Sequence, residues 1–168
     1  MLTKQSPSQL RLLLWDTCNK RCAGCCNKDW DLLALPICKN YKPYKTIMLT
    51  GGEPMLFPTK VHTTINQIRR SSKAMLYLYT ARVINTQATI QILQKIDGIC
   101  VTLHDQSDVA PFFKLASAAR GLRKSLRVNI FDNVDIGLRK IPTHWRAKTN
   151  IKRIPNCPIP DDEVFMRI

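Results

Sequence analysis

Short apolar runs alternate along the chain with stretches in which apolar residues recur every three or four positions. The short runs predict buried strands at residues 9–16, 46–50, 74–80, 99–103 and 126–131. The periodic stretches predict helices at residues 58–70, 86–95 and 109–122. Strands that alternate with helices are typical of an α/β fold with a mainly parallel sheet.

The pattern weakens after residue 131. Residues 139–153 contain six Lys and Arg side chains and no acidic one, and three prolines follow at residues 155–160. Residues 164–168 predict a last edge strand, which gives five to six strands in all. With 168 residues, the chain is expected to form a single domain with its core at about 9–131 and a basic, proline-containing C-terminal segment at 132–168.

The chain carries a formal net charge of +14, which is large for its size. This charge predicts attraction to an anionic nucleotide, a nucleic acid or an acidic protein. No run of about 18 apolar residues occurs, so no membrane span is expected. The seven cysteines are odd in number and three are closely spaced, which argues against a disulfide framework and for a reducing, cytoplasmic location.

Three of the cysteines form a C-x3-C-x2-C motif, Cys18, Cys22 and Cys25, directly after the first predicted strand. Fe–S clusters are normally held by four thiolates. Three thiolates at this spacing therefore predict a [4Fe–4S] cluster in which one iron has no protein thiolate and is open to another ligand.

A zinc site is the alternative interpretation of the same thiols. Zinc needs a fourth ligand, which Cys26, Cys38 or His62 would supply. This alternative describes a protein of another class, a zinc or nucleic-acid-binding module. We interpret Cys26 as a packing residue rather than an iron ligand, and Cys38, Cys100 and Cys157 as buried or incidental thiols.

A second motif, Gly51-Gly52-Glu53-Pro54, stands where the second predicted strand ends. Ligands of α/β sheets bind at the carboxyl ends of the strands. The two glycines permit close approach of the backbone to a neighbour. Alone, such a segment is also an ordinary turn.

Together, the thiol motif and the Gly-Gly-Glu-Pro segment resemble the signature of the radical S-adenosylmethionine superfamily. The resemblance implies a partial, open (β/α) barrel of five to six mainly parallel strands. It also implies that Cys18, Cys22 and Cys25 hold the [4Fe–4S] cluster and that S-adenosylmethionine chelates the open iron. An electron from a reductant such as flavodoxin or ferredoxin then yields a 5′-deoxyadenosyl radical, which abstracts hydrogen from a substrate.

The resemblance implies roles for further residues. The backbone of residues 51–54 and the Glu53 carboxylate are expected to receive the methionine ammonium. Thr80, at the end of the third predicted strand, resembles the residue that contacts the ribose. His104 lies at the end of the fourth strand and is expected to touch the cofactor or the substrate. Asn129 lies within the fifth strand, where an inward polar residue needs a partner, and the carboxylate or adenine of the cofactor is the candidate.

The spacing of Cys22, Gly24, Cys25 and Asn27 resembles small glycyl-radical activating enzymes, especially the activase of anaerobic ribonucleotide reductase. This resemblance implies a glycyl-radical enzyme as the partner. An alternative is a nucleoside- or base-modifying enzyme similar to 7-carboxy-7-deazaguanine synthase. The small scaffold and the positive charge, which suits an anionic nucleotide or nucleic-acid substrate, favour that alternative.

Overall fold

The computed structural model describes residues 7–22, 25–156 and 158–168, with the side chain of Cys26 left out. Our expectations for Gly24 and Cys157, and for the packing of the Cys26 side chain, lie outside the described residues. Within the described ranges, no helix is long and apolar enough to cross a membrane.

Seven strands form one sheet in the described part of the chain, and every neighbouring pair is parallel. The strands are β1 (Gln9–Leu13), β2 (Thr46–Thr50), β3 (Met75–Thr80), β4 (Gly98–Leu103), β5 (Ser125–Phe131), β6 (Arg146–Ile151) and β7 (Glu163–Arg167). Their order is β6-β5-β4-β3-β2-β1-β7, so the sheet is open between β6 and β7. The predicted open α/β fold is confirmed, but the predicted count of five to six strands is wrong.

Three helices follow β2, β3 and β4 in turn: α1 (Pro58–Ser71), α2 (Thr86–Leu93) and α3 (Val109–Ala118). Proline at the first position of α1 has no N–H to leave unpaired. The Asn85 side chain accepts a hydrogen bond from the Ala88 N–H and caps α2. Helix α3 is shorter than predicted, because the chain turns out of it and reaches Gly121 with a positive φ of 86°.

The core lies where alternate strand residues meet the helices. Leu12, Leu49, Leu78 and Val101 are fully buried and pack in one cluster with helix residues such as Ile65. The strands of parallel sheets are commonly apolar runs of this kind. Strands β1–β5 were predictable for this reason. Because they run parallel, their carboxyl ends lie along one edge of the sheet.

Strand β6 was not predicted. Five of its six residues are exposed, so its sequence carries no apolar alternation. It is held by backbone pairing to β5, with an irregularity between Asn129 and Phe131. The expected last strand is present as β7, which pairs with β1 at the opposite edge. The C-terminal segment 132–168 therefore supplies both edge strands of the sheet.

Candidate functional site

The two sequence motifs meet at the carboxyl edge of the sheet. Pairing between β1 and β2 continues past the strands, because the Gly52 N–H donates to the Trp15 carbonyl (2.7 Å) and the Glu53 N–H donates to the Thr17 carbonyl (2.9 Å). Thr17 immediately precedes Cys18. These bonds attach the Gly-Gly-Glu-Pro turn directly to the start of the thiol loop.

Glycine is required at both positions of this turn. A Cβ atom on Gly52 would lie 2.1 Å from the Thr17 carbonyl oxygen, and one on Gly51 would lie 2.5 Å from the Trp15 carbonyl oxygen. Gly51 also has a φ of +135°, which side chains disfavour. The close approach of the two backbones therefore depends on the absence of side chains.

The Glu53 carboxylate is buried beneath this turn, with 3% of the residue exposed. Its Oε1 accepts hydrogen bonds from the Met55 N–H (2.9 Å) and from the Thr80 hydroxyl. Its Oε2 accepts one from the Ala81 N–H (2.9 Å). Two predicted site residues, Glu53 and Thr80, thus contact each other, and the carboxylate ties the turn to the end of β3.

Glu53→Gln is expected to lower the free energy of unfolding by about 1–3 kcal/mol, because the amide NH2 must face one of these backbone or hydroxyl donors. Urea denaturation measures the change. Asp161→Asn, the same chemical change at an exposed position, is the control and should stay within about 0.5 kcal/mol of the parent. Equal stability of both variants would contradict the buried network.

The described thiols of the motif lie in one short loop. Cys18 is exposed, and Cys22 and Cys25 are half-buried. The Cys25 N–H donates to the Cys22 carbonyl (3.3 Å), so these two motif residues contact each other through their backbones. Burial raises the pKa of Cys22, the nearby Cys25 and Cys18 thiols raise it further, and Lys20 opposes them.

Among the described residues, no three His, Cys, Asp or Glu side chains are grouped closely enough to hold a metal ion. The donor set nevertheless fits an iron–sulfur cluster, because three soft thiols come from one loop at the ligand edge of the sheet. Cluster binding requires these thiols to be drawn together and deprotonated. Cys18, Cys22 and Cys25 are the residues that would hold it.

Lys20 anchors the thiol loop to the end of β4. Its Nζ lies 2.5 Å from Oδ1 of the buried Asp108 and 2.9 Å from Oδ2 of Asp105. Burial lowers the pKa of Lys20, but the hydrogen bonds to Asp108 and Asp105 outweigh it and raise the pKa overall. Ser107 and Lys20 hold the pKa of Asp105 at about 2. The sequence did not predict the Lys20–Asp108 contact, because the two residues lie 88 positions apart.

Lys20→Met should lower the free energy of unfolding by about 2 kcal/mol, because it removes charged hydrogen bonds and leaves the Asp108 carboxylate buried without its cation. Lys28→Met is the matched control, since Lys28 ends the short 3-10 helix Cys26–Lys28 that follows the thiol loop and forms no ion pair in the described ranges. Unchanged stability in Lys20→Met would contradict the anchor.

His104 lies at the end of β4 and stacks on Phe131, with ring centroids 4.9 Å apart. Burial lowers the pKa of His104 and outweighs the effect of Asp108, which raises it. The lowered pKa favours the neutral ring at pH 7. His104 also borders a cavity of about 550 Å³ whose walls include one motif thiol, Cys22. The cavity is lined by Arg21, Cys22, His104, Asp105, Phe131, Asp132, Asn133, Lys152 and Arg153.

Asn129 is not among the residues that line this cavity. Its side-chain amide donates to the Cys100 sulfur (3.2 Å) within the sheet. Cys38 and Cys100 are buried, as predicted, and burial raises the pKa of Cys100 to about 11. The structure therefore brings His104 beside the thiol loop and gives Asn129 a partner inside the fold.

A comparison of the chain with protein-family models and with curated protein sequences finds no match.

Proposed function

We propose that the protein is a radical S-adenosylmethionine enzyme. The observation that carries the proposal is the pair of backbone hydrogen bonds from Gly52 and Glu53 to Trp15 and Thr17. These bonds bring together two motifs that lie about thirty residues apart in sequence, at the sheet edge where α/β folds bind ligands. The open parallel sheet is compatible with a partial (β/α) barrel of the radical S-adenosylmethionine type.

Each part of the site has a distinct task in this proposal. Cys18, Cys22 and Cys25 hold three irons of a [4Fe–4S] cluster. The backbone of residues 51–54 binds the methionine part of S-adenosylmethionine, and Glu53 keeps that turn in place through its bonds to Thr80 and Ala81. When bound, the cluster and S-adenosylmethionine supply the electron transfer and the carbon–sulfur cleavage that produce the 5′-deoxyadenosyl radical.

The chain's own residues position the thiol loop beside the cavity. Lys20 fixes the thiol loop against β4, so that Cys22 borders the cavity beside His104. The neutral His104 ring offers a hydrogen-bonding edge without adding a charge. The reaction needs a one-electron donor such as flavodoxin or ferredoxin and a reducing compartment, consistent with the cytoplasm, because the ligands are thiolates.

The substrate has two candidates. The Cys22–Asn27 spacing supports activation of a glycyl-radical enzyme of the anaerobic ribonucleotide reductase type. The cationic side chains around the cavity, Arg21, Lys152 and Arg153, favour the second candidate, modification of a nucleotide or nucleic-acid base. Glycyl-radical formation on an added reductase, observed by electron paramagnetic resonance, would decide for the activase.

Anaerobic reconstitution tests the proposal. We expect brown, oxygen-sensitive protein with about four irons and four sulfides per chain. Reduction in the presence of S-adenosylmethionine should then release 5′-deoxyadenosine and methionine. Stoichiometric zinc without sulfide would overturn the proposal in favour of a zinc module, and a cluster that never cleaves the cofactor would overturn the radical chemistry.

A further inference from the structure

Cations from two distant parts of the chain line the cavity beside Cys22. Arg21 comes from the thiol loop, whereas Lys152 and Arg153 directly follow β6. Arg153 donates from Nη2 to Oδ1 of Asp29 (3.0 Å), which holds the segment after β6 against the loop after Cys25. Arg21 and Lys152 form no ion pair within the described ranges. Their charges therefore remain available to a ligand.

The carboxylates of the cavity do not balance these cations. Asp105 is already paired with Lys20, whose Nζ lies 2.9 Å away. Arg153 is paired with Asp29. Among the lining residues, Asp132 is then the single carboxylate that can balance the two cations Arg21 and Lys152. S-adenosylmethionine carries a sulfonium and an ammonium group against a single carboxylate, and a surplus of positive charge in the cavity disfavours such a net cation. The cavity is thus suited to an anion other than the cofactor.

The same cavity has an aromatic wall. Phe131 and His104 both line it and stack on each other with an interplanar angle of 29°, so a base would lie against the face of Phe131 that is turned away from His104. Aromatic faces bind nucleobases by stacking with little regard to base identity. The volume of about 550 Å³ is in the usual range of small-molecule sites. A flat ring surface beside unpaired cations matches a base that carries phosphate.

We infer that this cavity binds the substrate of the proposed reaction and that the substrate is a nucleotide, with its phosphates on Arg21 and Lys152 and its base against Phe131. The inference rests on the proposed function, which requires a substrate next to the cluster ligand Cys22. It also gives a role to the basic residues after β6, which the two sequence motifs do not explain.

Calorimetric titration of the anaerobically reconstituted protein with ATP, tripolyphosphate and adenosine tests the inference. ATP should bind saturably and at least about tenfold more tightly than adenosine, because the phosphates supply the charged contacts. Lys152→Ala should weaken ATP binding about tenfold. Lys140→Ala is the matched control, an exposed lysine of the same basic segment that does not line the cavity, and should leave it unchanged. Phe131→Leu should weaken ATP but not tripolyphosphate.

Three outcomes would overturn the inference: no saturable ATP binding, adenosine binding as tight as ATP, or equal weakening by Lys152→Ala and Lys140→Ala.

Titration with a single-stranded 12-mer tests for nucleic-acid binding. If it binds far more tightly than ATP and both lysine variants weaken it alike, attraction to the whole basic surface replaces the cavity. Formation of 5′-deoxyadenosine without ATP binding would refute this inference alone. Lys152-dependent ATP binding without a cluster would support the cavity and refute the proposed function.

Discussion

Cys22→Ala is expected to abolish cluster assembly and the reductive cleavage that depends on it. Iron and sulfide should fall from about four each per chain to background, since two remaining thiolates cannot hold a cube that already has one open iron. Cys22 is the best position to test, because it lies between Cys18 and Cys25 and borders the cavity. Iron and sulfide analysis after anaerobic reconstitution, with an assay for 5′-deoxyadenosine, measures the loss.

Cys38→Ala and Cys100→Ala are the matched controls, since both remove a buried thiol outside the motif. Both should retain iron, sulfide and cofactor cleavage, although filling a core position with a smaller residue lowers stability. The controls also separate the two metal hypotheses, because Cys38 is a nominated zinc ligand. Loss of metal in Cys38→Ala, or full iron in Cys22→Ala, would contradict the assignment of the three ligands.

Local sequence patterns were sufficient to predict the strands and helices that bury apolar side chains. Strands β1–β5 were predictable because their core positions, such as Leu49 and Leu78, lie in short apolar runs. Strand β6 lacks this signal, since it is exposed and depends on the backbone edge that β5 offers. An edge strand that is mostly exposed and pairs through its backbone can be recognised only once its neighbour is known.

The candidate site also combines residues that the sequence reveals with contacts that only the fold creates. Its motif residues were visible in the sequence because each set lies within a few positions. The Lys20–Asp108 contact, and the placement of Lys152 and Arg21 around one cavity, depend on the tertiary fold. The polarity of Asn129 suggested a ligand contact. Its amide donates to the Cys100 sulfur, so this polar strand residue has a partner inside the sheet, and its contact with a ligand stays a prediction.

Gly52→Ala is expected to separate the two motifs. The new Cβ would lie 2.1 Å from the Thr17 carbonyl oxygen, which is a backbone atom and cannot turn aside as a side chain does. We expect the free energy of unfolding to fall by about 3 kcal/mol and the affinity for S-adenosylmethionine to fall at least about tenfold, because the Glu53 N–H must leave Thr17. Urea denaturation and equilibrium dialysis measure the two effects.

Gly137→Ala controls for the backbone preference of glycine, because Gly137 has a φ of +60° and open space around its Cα. Its expected effect is about 1 kcal/mol on stability and none on cofactor affinity. Gly137→Ala therefore has a cost from its positive φ and none from a clash, whereas Gly52 has no positive φ and Gly52→Ala has a cost from the clash with the Thr17 backbone. If Gly52→Ala were as stable as Gly137→Ala and bound S-adenosylmethionine equally well, the joint between the thiol loop and the Gly-Gly-Glu-Pro turn would not exist as described, and the proposed function would lose the observation on which it rests.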